Sequence, residues 1–271
     1  AFEKALALDQ ADPLPRMGLG LAKVREGDLS GGTADIEVAS LDQNNALIRS
    51  YLGKAYASAG DRQRARHELE LAKRLDPADP TAWLYSALIN EQENRLNESI
   101  RDLEKSQALN ENRRVYRSQL LLDQDRAVRG ANLARVYDEA GLSDVAVREA
   151  GNAVAADYAN FSAHRFLSDS YELNRGNTPF GQRYETPAFS EHLISTLLGP
   201  ADGRLLSQNV SQQEYGRLFE RDSLGFSSTT KYLSRGAWEE DASQFGTFGG
   251  TSYSLDGEYL YDPGQAPNAQ L

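Results

Sequence analysis

The apolar residues of the segment 46–80 recur at helical spacing, in two halves that meet at Gly60. In the first half Leu52, Gly53 and Tyr56 fall on one face of a helix. The second half repeats this pattern with small and large apolar residues: Ala65, Leu69 and Ala72. Because glycine adopts the left-handed conformation that often ends helices, Gly60 indicates a turn between two helices. The pattern predicts a helical hairpin, and one hairpin cannot bury its apolar face alone, so neighbouring hairpins are expected.

The same pattern recurs along the chain at nearly constant phase. Gly20 precedes Gly53 by thirty-three residues, and Ala87 follows Gly53 by thirty-four, with Trp83 shortly before it. A later copy and the start of a further one carry the matching residues Leu133, Ala134, Tyr137, Gly141, Ala146, Ala150 and Ala153, then Leu167, Ser168 and Tyr171. These residues resemble the tetratricopeptide repeat (TPR), a helix-turn-helix unit of 34 residues. The resemblance implies an α-solenoid of about four to five repeats.

Two features interrupt this regular array. Residues 1–9 align with the second helix of a repeat, so we interpret the sequence as a fragment of a longer protein. Residues 114–126 form an insertion with an apolar anchor at Leu120–Leu122, and Arg113, Arg114 and Arg117 are expected on its polar side. Two interpretations of the insertion stay open: an elongated helix with solvated charges, and a basic ledge that holds a partner or the next domain.

The repeat pattern stops after Tyr171. Gly176 to Pro179 breaks the helix, and a loop by composition replaces the expected second helix. A short amphipathic helix from Ser190 to Leu198 follows, and we expect it to cover the open end of the solenoid.

The composition changes from about Val210, where apolar and polar residues begin to alternate. One face of the last alternating run carries Tyr253, Leu255, Tyr259 and Tyr261, and the other carries Ser252, Ser254, Asp256 and Glu258. A period of two predicts strands. The predicted fold is therefore mainly α, with three regions: a TPR α-solenoid over 1–177, a loop and capping helix over 178–208, and a short antiparallel β segment over 209–271.

Composition and charge exclude several classes of function. The net charge of -11 and the pI near 4.9 argue against a nucleic-acid partner. The chain has no cysteine, which excludes disulfides, thiolate metal sites and thiol catalysis. His67, His164 and His192 belong to no metal-spaced motif, and His164 is expected to be packed against its neighbours. The sequence predicts a non-enzymatic protein with no cofactor and no metal.

The TPR resemblance implies a binding groove on the inner face of the solenoid. Four positions of each first helix point into such a groove, and the candidate binding residues at these positions are Lys54, Leu84, Leu88, Glu91, Arg135, Asp138, Arg165, Asp169 and Glu172. Lys54, Arg135 and Arg165 could pair with acidic groups on a protein or peptide ligand. The alternative is that each of them is an ordinary solvated charge.

The second half of the chain also resembles a group of large bacterial envelope proteins. The stretches that carry this resemblance are VYRSQLLLDQDRA, ANLARVYDEAGLSDVAV, FSAHRFLSDSY and TSYSLDGEYLYDPGQAPN. In these proteins TPR repeats precede an outer-membrane β-barrel, often with a FecR-type domain at the N-terminus. The resemblance implies a location in the periplasm or outer membrane, with residues 209–271 as the start of a barrel.

Three functions follow as hypotheses. The first is a TPR scaffold in the envelope that recruits a partner or guides a substrate to an outer-membrane pore. The second is a structural or extracellular protein that self-assembles by solenoid stacking and by strand addition between copies. The third is a soluble TPR adaptor. A location in the cytoplasm is less expected than one in the cell envelope.

Overall fold

The computed structural model describes residues 1–42, 44–115, 118–174, 186–198, 223–232, 236–248, 251–261 and 263. The helices are α1 (Phe2–Leu8), α2 (Pro13–Arg25), α3 (Leu29–Ala39), α4 (Ala46–Ser58), α5 (Arg62–Leu75), α6 (Pro80–Gln92), α7 (Leu96–Ala108), a 3-10 helix (Asn110–Val115), α8 (Gln119–Glu139), α9 (Ser143–Ala156), α10 (Phe161–Asn174) and α11 (Pro187–Leu198). The strands are β1 (Ser223–Tyr232), β2 (Trp238–Phe248) and β3 (Thr251–Tyr261).

Local sequence explains where many of the helices begin and where hairpins turn. At the starts of α2 to α6 a side-chain oxygen accepts a hydrogen bond from a backbone N–H of the helix. The residues that provide these oxygens are Asp12, Asp28, Asn45, Asp61 and Asp79. The turns between the helices of four hairpins contain a residue with left-handed backbone: Gly27, Gly60, Asn94 and Gly141. Glycine adopts this conformation at little cost, and asparagine is among the few other residues that tolerate it.

The two helices of a hairpin cross at small residues. A methyl group added at Gly53 would lie 2.7 Å from Cγ of Leu69 and 3.1 Å from the carbonyl oxygen of Ala65. In the next hairpin the Ser99 hydroxyl donates to the Ala87 carbonyl oxygen at 2.9 Å, twelve residues away in sequence. The close approach leaves no room for larger side chains at these positions.

Stacked hairpins share a continuous apolar core. The largest cluster runs from α2 to α8 and includes Leu21, Ile36, Leu52, Leu69, Leu103 and Val136. Two smaller clusters join α8, α9 and α10, around Phe166 and around Leu167. Consecutive helices pack against each other along the array, as a repeat solenoid requires. The predicted mainly helical solenoid is confirmed.

The insertion lies in the 3-10 helix and in the first turns of the long helix α8. Arg113 and Asp125 are 2% and 1% exposed, and their side chains form an ion pair at 3.2 Å. Arg129 is fully buried and donates to the Ser106 hydroxyl at 2.9 Å and to the Asn110 amide oxygen at 2.6 Å. We call these five residues the junction network. It joins α7 to α8 through polar contacts.

The structure corrects two details of the predicted insertion. Arg113 is not on a solvated face, because a carboxylate from α8 meets it inside the fold, whereas Arg114 is exposed. The apolar anchor is Leu122 alone, since Leu120 is 69% exposed and Leu121 is also exposed. The predicted elongated helix is present as α8, and Arg117 lies outside the described residues.

Helix α11 occupies the place of the missing second helix of the fifth hairpin. The Ser168 hydroxyl donates to the Ala188 carbonyl oxygen at 2.7 Å, and Ala188 and Ser195 are buried against α10. Ser168 and Ala188 are twenty residues apart, where the corresponding pair in the third hairpin is twelve apart. The helix that the sequence predicted as a cap therefore completes a repeat after a longer connection. The predicted breaking segment Gly176 to Pro179 lies outside the described residues.

The three strands form an antiparallel sheet in the order β1-β2-β3. The predicted apolar side chains of β3 share one face of the sheet, where the register places Tyr253 opposite Gly246 and Gly246 opposite Leu224. Gln244 and Glu240 of the middle strand lie on the same face. Large apolar side chains on this face are exposed in the described residues: Leu224, Phe226, Tyr232, Phe248, Leu255 and Tyr259. None of the helices in the described residues has both the length and the apolar character needed to span a membrane.

Candidate functional site

The first helices of successive hairpins lie side by side and form one surface. Helix α4 packs against α6, and α8 packs against α10. The rings of Tyr51 and Tyr85 meet edge to face across the first pair, with centroids 6.3 Å apart. We define the inner face as the side chains of α4, α6, α8 and α10 at the predicted groove positions, since first helices line the concave side of a TPR solenoid.

A small open pocket of about 140 Å³ lies on the inner face between α4 and α6. Its lining consists of Lys54, Ala57, Ser58, Tyr85, Leu88, Ile89 and Gln92. Two predicted binding residues, Lys54 and Leu88, thus line one cavity. Leu84, also predicted as a groove residue, is 3% exposed, belongs to the apolar core and does not line this pocket.

Lys54 places its ammonium group at the edge of this pocket. Its Nζ lies 6.0 Å from the centroid of the Tyr85 ring. Burial lowers the pKa of Lys54 below its usual value, because the charged form loses solvation there. The pocket therefore combines an apolar floor with a partly desolvated cation.

Arg135 of α8 contacts one carboxylate on α6 and a second one on its own helix. Its Nε lies 3.4 Å from Oε1 of Glu91, and its Nη2 lies 2.7 Å from Oε1 of Glu139. The guanidinium carbon also lies 5.8 Å from the centroid of the Phe166 ring. Burial raises the pKa of Glu91 to about 7, and the Glu139 charge adds to this effect while Arg135 opposes it. One guanidinium does not fully offset the buried negative charge.

Arg165 is held in a similar way at the next first helix. Its Nε lies 3.2 Å from Oδ1 of Asp169, and its Nη1 lies 3.1 Å from Nδ1 of His192 on α11. Arg135 and Arg165 are about one-fifth exposed, and each forms an ion pair with a carboxylate of its own helix.

The two remaining predicted positions lie on the same face. Asp138 is partly buried one turn beyond Arg135 on α8. Glu172 belongs to α10, and its side chain is outside what the structure describes. The sequence did not single out Tyr85, Glu139 or His192, which contact the predicted residues. Glu139 follows Arg135 by one helical turn, a spacing that could have indicated it.

His164 is packed, as expected, and lies outside the inner face. It is fully buried, with Nε2 2.9 Å from the Tyr158 carbonyl oxygen and Nδ1 2.5 Å from Oε2 of Glu191. Because a carbonyl oxygen can only accept a hydrogen bond, Nε2 of His164 carries a proton. His164 thus links α10 to α11. Within the described residues, no group of three or more histidine, aspartate or glutamate side chains is arranged to hold a metal ion.

No protein-family model matches this sequence, and no curated protein matches it. Solved structures do match the fold. A chain of the APC/C hetero-tetramer Cut9-Hcn1 has a TM-score of 0.62 and 16% identity over 81% of this chain and 38% of its own. PilF of Pseudomonas aeruginosa has a TM-score of 0.58 and 15% identity over 73% of this chain and 81% of its own. MamA has a TM-score of 0.47 and 22% identity over 64% of this chain and 89% of its own.

At these identities the matches describe fold alone. The neighbours with the two higher TM-scores are TPR proteins, and their similarity covers most of the helical array described above. The chain therefore has the fold of a tetratricopeptide-repeat solenoid.

Proposed function

We propose that the solenoid is a protein-interaction scaffold whose inner face binds a segment of a partner protein. The observation that carries this proposal is the open pocket between α4 and α6, where Tyr85, Leu88 and Ile89 form an apolar floor beside Lys54. A pocket of this size is well below the range typical of drug-sized ligand sites, and it suits a single side chain. A peptide that lies along the inner face would place such a side chain there.

The test is direct selection of ligands from a random twelve-residue peptide library displayed on phage. Enriched peptides are synthesised, and their affinities are measured for the parent protein and for two tryptophan variants. Ser58→Trp fills the mouth of the pocket from an exposed position, so it should weaken binding by about tenfold or more. Gln63→Trp on α5 adds the same side chain away from the pocket and should leave affinity unchanged. Equal binding to the two variants would refute the pocket as the site.

A location in the bacterial cell envelope is the second part of the proposal, with the C-terminal strands contributing to an outer-membrane barrel. The sequence resemblance to envelope proteins supports it, and so does the exposed apolar face of the three-stranded sheet. A lipid-facing strand carries apolar side chains on one face and aromatic residues near its ends. The scaffold would then recruit a partner, or guide a substrate, at the entrance of the pore.

A second candidate, self-assembly by strand addition, is favoured by one observation. Strands β1 and β3 form the two edges of the sheet in the described residues, and an exposed edge can pair with a strand of another copy. Expression of the complete native gene followed by envelope fractionation separates the two candidates. Recovery with outer membranes, resistance to carbonate extraction and heat-modifiable gel mobility support the barrel. Recovery as soluble or extracellular polymers supports self-assembly and contradicts the barrel.

A further inference from the structure

The pocket on the inner face lies next to an excess of carboxylates. Leu88 and Glu91 are three residues apart on α6, so their side chains are neighbours on the helix surface. Leu88 lines the pocket, and Glu91 meets Arg135 of α8 at its edge. An apolar floor and a carboxylate are therefore presented side by side within reach of one short peptide.

The charges around this edge are unbalanced. Arg135 contacts both Glu91 and Glu139, and Asp138 lies on the same helix. Two carboxylates thus share one guanidinium at the α6–α8 side of the pocket. The opposite, α4 side carries the ammonium of Lys54. Arg165 lies on α10 beyond this cluster and is paired with Asp169.

We infer that the partner segment carries an apolar side chain that enters the pocket and, next to it, a lysine or arginine that reaches Glu91 and Glu139. The inference rests on the proposed function. Charge complementarity selects this occupant, because a second cation would offset the negative charge that Arg135 leaves unbalanced. Lys54 repels a basic residue on the α4 side, so the basic residue points toward α8. The site thereby fixes the direction of the bound segment.

The ionisation of Glu91 adds a measurable consequence. Its pKa is about 7, so near neutral pH this carboxyl is partly protonated. A cation bound beside it would favour the ionised form, and binding would release protons. Binding of a basic peptide should therefore strengthen as the pH rises from 6 to 8. The charged groups that act on Glu91 are Glu139 and Arg135, both on α8.

The test uses the peptides selected above, synthesised with acetylated and amidated ends and without histidine, so that only the protein titrates in this range. We expect the enriched peptides to share an apolar residue close to a lysine or arginine. Replacement of that basic residue by glutamine should weaken binding by about tenfold. Glu139→Gln should weaken binding of the basic peptide and leave the glutamine peptide unaffected. Glu70→Gln, an exposed change on α5, is the matched control and should leave the affinities of both peptides unchanged.

The outcomes separate the inference from the function on which it rests. A library that yields no binding peptide overturns both. Peptides that bind through the pocket but lack a basic residue overturn this inference alone. Equal affinity of the basic peptide for Glu139→Gln and the parent protein, or an affinity independent of pH in the parent protein, also overturns it. Glu91→Gln provides a second variant, in which the pH dependence of binding should be lost.

Discussion

Glu91 is the residue at which burial and charge oppose each other on the inner face. Its side chain is 10% exposed, and Arg135 reaches it only at 3.4 Å while making a shorter contact to Glu139. A carboxylate in this position loses hydration that a shared guanidinium does not fully replace. Groups of this kind are frequent at binding sites, where a ligand supplies the missing partner.

The first prediction concerns the effect of Glu91 on folding stability. The pKa of this carboxyl is raised from 4.5 to about 7 in the folded chain, so its ionised form destabilises the fold. The cost is absent below pH 4.5 and is complete above pH 7. Glu91→Gln should therefore gain stability relative to the parent protein between pH 5 and pH 8. The gain is at most about 3 kcal/mol, since one unit of pKa corresponds to about 1.4 kcal/mol.

Urea denaturation at several pH values measures this difference in the free energy of unfolding. Glu70→Gln is the control, because Glu70 is exposed and its contribution should not change over the same range. A constant difference between Glu91→Gln and the parent protein from pH 5 to pH 8 would contradict the prediction.

The second prediction concerns the hairpin crossing at Gly53. Gly53→Leu should lower the free energy of unfolding by about 1–3 kcal/mol, because Leu69 and the backbone at Ala65 already fill the space beside it. Ser58→Leu, at an exposed position on the same helix, should cost much less. Equal melting temperatures for Gly53→Leu and the parent protein would mean that the crossing tolerates a large side chain.

At the scale of single residues, repeat phase predicted the positions of the groove residues but not their surroundings. Lys54 and Leu88 line the pocket because helical phase alone decides which way they point. Leu84 has the right phase, yet the neighbouring hairpin covers it. The partners of Arg135 and Arg165 come partly from α6 and α11, and a one-dimensional pattern does not contain those contacts.

Helices, by contrast, show how well the chain tolerates departures from the repeat. Helix α11 follows a longer connection than its counterparts, yet a serine and an alanine again meet at the crossing, with the serine now on the first helix of the hairpin. Helix α8 is longer than the other first helices, and the extra turns are joined to the 3-10 helix by buried polar groups. Both departures are accommodated by specific hydrogen bonds.

The third prediction concerns the link between α10 and α11. Glu191→Ala removes the carboxylate partner of buried His164 and should destabilise α11 by about 1–3 kcal/mol, the cost of leaving a buried polar group unsatisfied. Hydrogen exchange of the amides in 187–198 measures this. Leu197→Ala is the control on the same helix, because Leu197 is exposed and should leave exchange unchanged. Unchanged exchange in Glu191→Ala would exclude a stabilising role for the His164 contact.

The fourth prediction concerns the junction network. Asp125→Ala leaves the buried guanidinium of Arg113 without its carboxylate and should cost about 3–5 kcal/mol of stability. Asp123→Ala, two residues earlier on α8, removes an exposed ion pair and should cost less than about 1 kcal/mol. Thermal unfolding followed by circular dichroism compares the two variants. Similar melting temperatures would show that the network does not stabilise the junction.

A helix in the insertion could be predicted from the sequence, but the burial of its charged side chains could not. An elongated helix was one of two interpretations of the insertion, whereas arginines are assigned to the solvent side unless a partner is known. The placement of α11 was missed for a related reason. Its position depends on a contact with α10 across a connection of unusual length, and the repeat phase ends where that connection begins.

At the scale of the whole molecule, the array is a row of hairpins in which consecutive elements make the contacts. That architecture could be predicted from sequence, because each unit repeats the same small and large residues at the same spacing. The described sheet has an alternating pattern of its own, which predicted its strands and its apolar face.

The constancy of the crossing contact has a consequence for how such arrays diverge. The spacing between crossing residues is twelve in the third hairpin and twenty in the fifth, while small residues joined by a serine hydrogen bond meet at both crossings. Lengthening a loop adds little closure entropy, so selection against insertions at this turn is weak. Selection at the crossing is strong, because a single methyl group does not fit there at Gly53. We therefore expect the repeat period to vary among such arrays while the paired small residues persist. The ancestry of such a chain is better traced through those pairs than through a fixed repeat length.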